Sequence, residues 1–207
     1  RVGHGSVFTL ELPAGRPPRP EPASVPQSLA RQLTLERRLI VVVEEIGDLW
    51  ALGKLSVAAE HMASEVVVAQ LKQDLAKIHA SGPVLLAACL ASEQHEWGFL
   101  VTLTGLQVKG WRVHYLGPNL PTKDVVEAAW TLMPQVVALS AADPENVEHR
   151  ISELRRLPRL LPPGTLVVLG GQGAEANGSR LRRAGLKVGE NAIPDIQPEP
   201  ARFVNRN

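Results

Sequence analysis

The chain has 207 residues, with 22 Lys and Arg against 21 Asp and Glu, a formal net charge of +1 and a single cysteine. That length supports one or two domains with cores of their own. The near-balance of charge gives no reason to expect a nucleic-acid or anionic-membrane surface on this chain, and the lone Cys89 excludes an internal disulfide framework. The apolar runs are too short to span a bilayer and no secretory signal is visible, so a cytoplasmic setting is expected.

Three segments follow one another. Residues 1–26 open with Gly3-His4-Gly5 and an apolar/polar alternation through Leu12, the pattern of one strand. This stub resembles the last glycine box and final strand of a histidine-kinase ATP-binding domain. Residues 15–26 are proline-rich and read as a semi-rigid spacer. The chain starts at Arg1 and not at methionine, so it is expected to be a piece of something longer, with a sensor kinase preceding it if that resemblance holds.

Residues 27–82 read as helical. Leu29, Leu33, Leu39, Val42, Val43, Ile46 and Trp50 recur at helical spacing. Gly53 marks a break, and Ser56 is placed to cap a helix reaching about residue 80. Its apolar positions are Val57, Met62, Val66, Val67, Leu71 and Leu75. Two helices, with a third at 27–36, predict a small helical bundle.

Residues 83–190 alternate strand and helix. Strands are expected over 83–90, 111–116, 135–139 and 165–169. Helices are expected over 98–109, from a Thr122 cap to about 132, over 144–157, and over 173–184. This order predicts an α/β fold with a doubly wound parallel sheet. Gly170, Gly171 and Gly173 do not form a dinucleotide fingerprint and suit a close backbone approach to a bulky group. Residues 191–207 are left as a tail.

The chemistry lies in Glu93-Gln94-His95-Glu96-Trp97-Gly98, an E-x-H-x-x-G in the loop past the first of these strands. Open α/β sheets place their ligands at that edge. A carboxylate two residues before a histidine can take the proton of one ring nitrogen and leave the other as a metal ligand. Forty-one residues separate Gly98 from Ser140, and 27 separate Ala142 from Gly170-Gly171. The set resembles the D-x-H-x-x-G, S-x-L, G-G signature of cobalamin-binding domains, found in methionine synthase, corrinoid methyl carriers, mutases and cobalamin-dependent photoreceptors.

That resemblance implies a flavodoxin-like strand order. It also implies His95 as the lower ligand of cobalt, replacing the cofactor's benzimidazole base, with Glu93 setting the histidine tautomer. Ser140, Gly170 and Gly171 would line the slot for the displaced nucleotide tail. Two positions depart from the pattern: Glu93 stands where Asp is commoner, and Ala142 where the motif has Leu. Of the other histidines, His79 and His149 fall on expected helices and His114 in the second strand.

A second motif lies upstream, where Trp50 is followed after nine residues by Glu60-His61. It resembles the W-x9-E-H motif of cobalamin-dependent photoreceptor repressors, whose four-helix bundle caps the upper face and encloses a 5′-deoxyadenosyl group. By that resemblance Trp50 lies against the upper ligand, and Glu60 and His61 contact its sugar or base. The bundle here looks short, either abbreviated or completed by a partner chain. In the photoreceptors a histidine follows the tryptophan, whereas here the position is Ala51.

The expectation is therefore a cobalamin-binding sensory domain without catalytic residues of its own. Adenosylcobalamin is the preferred ligand, with methylcobalamin or hydroxocobalamin as other forms, and light is the expected signal. Its output would pass to a kinase or transcription regulator, and a homo-oligomer fits this role. The rival from another class is a corrinoid methyl carrier serving a methyltransferase. A cofactor-free receiver domain is disfavoured, because the first strand does not end in an acidic cluster.

Overall fold

The computed structural model describes residues 56–189, Ile193 and Arg202–Phe203. The kinase-like stub, the proline-rich spacer, the first expected helix, Trp50 and Ala51 lie outside the described residues. The chain divides into two compact units, residues 1–69 and 70–207.

Helix α1 covers Val57–Lys77. Ser56 caps it as expected: its Oγ accepts the Ala59 amide at 3.2 Å. Val67, Leu71 and Leu75, spaced four apart, form the buried stripe, while Met62 and Val66 sit on a neighbouring stripe and are exposed, as is Val57. The helix stops short of residue 80. Ile78–His79 instead form strand β1, so His79 is in a strand and not on a helix. The end of the helix is held by Gln107, whose Nε2 donates to the Leu75 carbonyl at 3.1 Å and also to that of Ile78.

Five strands build the main sheet: β2 Val84–Cys89, β3 Arg112–Tyr115, β4 Val136–Ser140, β5 Leu166–Gly170 and β6 Lys187–Val188. All are parallel, in the order β3-β2-β4-β5-β6. That is the flavodoxin-like order, with the first strand beside the third and the chain switching direction between them. β2 and β4 are buried along their whole length, which is why they read as unbroken apolar runs. A separate two-stranded antiparallel pairing joins β1 to β7 Arg202–Phe203.

The connecting helices are α2 Trp97–Val108, α3 Thr122–Leu132, α4 Pro144–Leu154, α5 Leu157–Leu160, α6 Gln172–Ala176 and α7 Gly178–Arg183. Three expectations are corrected. Thr122 does not cap α3; the capping position is Pro121 and Thr122 is the buried first residue. The expected helix over 144–157 ends at Leu154, and a short α5 follows because Pro158 suits the start of a new helix better than the interior of an old one. The last helix is divided at Asn177, whose side chain donates to the carbonyls of Gly173 and Pro144, both at 3.1 Å.

The register sorts the two faces. Leu86, Ala88, Val137, Leu139, Val167 and Leu169 share one face and form the main core with Val125 and Ala129 of α3, Val147 and Leu154 of α4, and Leu181 of α7. The opposite face carries Tyr115, Cys89, Ser140 and Gly170 at its carboxyl edge, since Ala87 pairs with Tyr115, Cys89 with Ser140, and Ser140 with Gly170. Helix α2 lies on this side, where Phe99 meets Tyr115 edge-on with ring centroids 6.1 Å apart.

Candidate functional site

Three loops leave the carboxyl edge of the sheet and are tied together by side chains. The loop after β2 turns at Ser92, which has φ of 70°. It is pinned from one side by Asn119, whose Oδ1 accepts the Ser92 amide at 2.7 Å. From the other side Asn146 donates to the Ala91 carbonyl at 2.9 Å. Backbone bonds run from Leu90 N to Ser140 O at 3.0 Å and from Asn119 N to Glu93 O at 2.9 Å. The turn that leads into His95 is thus held from both sides.

Glu93 is only 2% exposed and uses both carboxylate oxygens. Oε1 lies 3.0 Å from His95 Nδ1 and also accepts the His95 amide at 3.0 Å. Oε2 accepts the amides of Ala142 at 2.7 Å and Asp143 at 3.3 Å. Burial alone would raise this carboxyl group. The His95 imidazole, the His95 amide and the Ala142 amide outweigh it and hold the group below the usual carboxylate range. The His95 side chain itself is 81% exposed. With Nδ1 engaged by a buried carboxylate, coordination by this ring falls to Nε2.

Behind the loop lies a second polar cluster. Glu96 accepts from Lys72 Nζ and from the Tyr115 hydroxyl, each at 2.6 Å. The Tyr115 oxygen is 3.5 Å from Cys89 Sγ. Burial pushes the Cys89 thiol up to about 11; the Tyr115 contact lowers it in part, and the carboxylates of Glu96 and Glu93 push it further up. Burial, with Cys89 and Glu96 beside it, raises the Tyr115 phenol as well.

Glu93, His95, Ser140, Gly170 and Gly171 are brought to this one edge, and Gly98 lies beside them in the first turn of α2. The two glycines differ. Gly171 has φ of +101°, and a Cβ there would sit 2.6 Å from the Ala141 carbonyl oxygen, so the chain's own neighbouring loop requires glycine. A Cβ on Gly170 would meet nothing within 4 Å. Glu60 and His61 are on α1, where Glu60 Oε2 lies 2.7 Å from His61 Nδ1 and Oε1 accepts from Ser64 Oγ at 2.8 Å. Sequence reasoning missed the second oxygen of Glu93, the clamps Asn119 and Asn146, and the Glu96 cluster. These residues lie in loops and at helix starts, where polar side chains are ordinary, so the sequence carried no signal for their partners.

This edge fits a flat macrocycle held from one axial side. It offers an exposed imidazole whose Nδ1 faces a buried carboxylate, and on the same edge the small residues Cys89, Ser140 and Gly170 stand in one row. Among the described residues there is no group of three or more His, Cys, Asp or Glu side chains suited to holding a metal ion by themselves. No described helix is long and apolar enough to cross a membrane.

Comparison with known proteins agrees. A B12 binding domain model matches residues 83–196, and a second B12 binding domain model matches residues 27–72. The HTH-type transcriptional repressors CarH and CarA of Myxococcus xanthus are 33% and 35% identical over 148 and 141 residues, covering 70% and 67% of this chain and 48% and 49% of theirs. The chain therefore spans about half the length of these curated relatives. Dimethylamine corrinoid protein 1 of Methanosarcina acetivorans is 30% identical over 112 residues, covering 52% of this chain and 53% of that protein. Among solved structures, the monomethylamine corrinoid protein of Methanosarcina barkeri aligns with a TM-score of 0.54 and 17% identity over 72% of this chain and 73% of that one, a likeness of fold. With its matched residues 83–196 spanning more than half of the sequence, the chain belongs to the B12-binding domain family.

Proposed function

We propose that this chain is a cobalamin-responsive regulatory module, with residues 27–82 as a helical cap, 83–190 as the cofactor domain and His95 as the lower ligand of cobalt. The observation that carries this reading is the Glu93–His95 pair. A buried carboxylate fixes Nδ1, and the ring stands exposed at the sheet edge. Glu93 then has two tasks: it raises the basicity of the imidazole, and it ties the ligand loop to the loop after β4. Ser140 would offer its hydroxyl to the nucleotide tail, and Gly170 would leave room for it. When bound, adenosylcobalamin supplies a cobalt–carbon bond that light can break.

Trp50, Glu60 and His61 would enclose the upper ligand, which favours the adenosyl form and light as the signal. The W-x9-E-H spacing and the similarity to two transcriptional repressors support a regulatory output through another domain or protein. A methyl-carrier role is the second reading, supported by the dimethylamine corrinoid proteins among the relatives. The test is the absorption spectrum after incubation with adenosylcobalamin, in the dark and after illumination, for wild type and His95→Ala. The reading expects a light-dependent spectrum in the wild type, and loss of binding or an altered lower-ligand spectrum in the variant. An unchanged spectrum and affinity in His95→Ala would refute the ligand assignment. Methyl exchange with a corrinoid methyltransferase, with no response to light, would favour the carrier.

A further inference from the structure

Glu96 has no part in the cofactor motif, yet both of its carboxylate oxygens are engaged directly beside His95. Only 10% of its side chain is exposed, and each oxygen has a separate partner 2.6 Å away: Lys72 Nζ on Oε1 and the Tyr115 hydroxyl on Oε2. It occupies the capping position of α2, but its side chain makes no bond to the amides of the first turn; only its carbonyl accepts, from the Leu100 amide at 2.9 Å. A carboxylate serving α2 would turn to those amides. This one turns away to α1 and β3.

We propose that Glu96 is a positioning residue that couples the His95 loop to helix α1 through Lys72, so that occupancy of the site is registered along that helix. The inference rests on the reading of His95 as the cobalamin ligand. Glu96 follows His95 directly in the chain, so a shift of the loop moves both. A nearly buried carboxylate that loses one of two charge-assisted partners is left poorly compensated, and displacement of the loop without α1 is therefore disfavoured. Tyr115 anchors the other oxygen to the sheet, which gives the pair a fixed reference. From Lys72 the helix continues unbroken back to Val57, through Glu60 and His61. One ion pair shared by the ligand loop and α1 gives the two elements an interaction through which a change in one can bias the other.

The test uses the full chain with and without hydroxocobalamin, reading amide hydrogen exchange in residues 70–77 beside the cofactor's absorption spectrum. Cobalamin should slow exchange in wild-type α1 by about tenfold, within the range of ordinary coupling energies. Lys72→Met, at a side chain 44% exposed, should keep the wild-type spectrum and lose most of that protection. Glu96→Gln should do the same, and the double variant should be no worse than either single one, because both remove one interaction. Full protection retained in Lys72→Met, or none in the wild type with cofactor bound, would overturn the coupling. His95→Ala run alongside separates the two ideas. An unchanged spectrum there refutes the ligand assignment, whereas an altered one with protection intact in Lys72→Met refutes the coupling alone. Should Glu96→Gln fail to fold, Lys72→Met still decides.

Discussion

Glu93 Oε2 lies 2.7 Å from the backbone nitrogen of Ala142, a residue 49 positions further along the chain. The same carboxylate holds His95, so one buried side chain fixes the loop after β2 against the loop after β4. Glu93→Gln keeps the shape and removes the charge. Its amide has one oxygen to serve two sets of donors, so either the His95 amide or the Ala142 and Asp143 amides face an NH2 group. The expected loss is about 2–3 kcal/mol of unfolding free energy without cofactor, the range for a charged hydrogen bond broken in a buried place. Urea denaturation of both proteins checks it, and an unchanged midpoint would show that the carboxylate contributes little to the fold.

Gly170 and Gly171 should answer differently to substitution. Gly171→Ala forces a Cβ to within 2.6 Å of the Ala141 carbonyl oxygen at φ of +101°. It should destabilise the protein by about 2 kcal/mol or more whether or not cofactor is present. Gly170→Val adds its side chain where a Cβ meets nothing within 4 Å. Stability should change by less than about 1 kcal/mol. Cobalamin affinity should nevertheless fall at least about tenfold, the effect of a misplaced group worth roughly 1.4 kcal/mol. Thermal melts and cofactor titrations on both variants make the comparison. Full cofactor affinity in Gly170→Val would remove that residue from the site.

What the sequence revealed follows from range. Strands β2, β4 and β5 were legible because two-sided burial leaves runs such as Val136–Ser140 almost without polar residues. The E-x-H contact was legible because it spans two residues. The partners of Glu93 Oε2 were not, because nothing local links position 93 to positions 142 and 143 before the sheet brings β2 beside β4. Glu96 was invisible for the same reason: Lys72 and Tyr115 lie 24 and 19 residues away on different elements. Strand β6 is two residues long and carries no periodicity to detect. Helix ends failed where backbone geometry overrode side-chain preference, as at Pro121 before Thr122.

Cys89 gives the protein an alkaline limit. The thiol is fully buried and is pushed up from 9.0 to about 11. Between those values the unfolded chain has lost a proton that the native state retains, so stability falls as pH rises through this window. The loss should reach about 2–3 kcal/mol by pH 11, and Cys89→Ala should remove this part of the slope. The half-buried Tyr115 phenol, also raised, acts in the same sense at higher pH. Denaturation midpoints between pH 8 and 11 are the measurement. Iodoacetamide should leave the native thiol unmodified at neutral pH and label it fully in denaturant. Rapid labelling of the native protein would contradict its burial.

The upper face is tested by Trp50→Ala. Trp50 precedes Glu60 and His61 by the spacing of the photoreceptor cap motif, and those two side chains are joined at 2.7 Å on α1. If the tryptophan lies against the upper ligand, its removal should weaken binding of adenosylcobalamin more than that of hydroxocobalamin, because only the former has a large group to enclose. An aromatic contact of this kind accounts for roughly 1–3 kcal/mol, about five- to 150-fold in affinity. Binding through the lower face should be untouched, so the His95-dependent part of the spectrum should match wild type. Titration of both cofactors into both proteins decides the matter. Equal losses for the two forms would make Trp50 a core residue, and would remove the main support for adenosylcobalamin over the other forms.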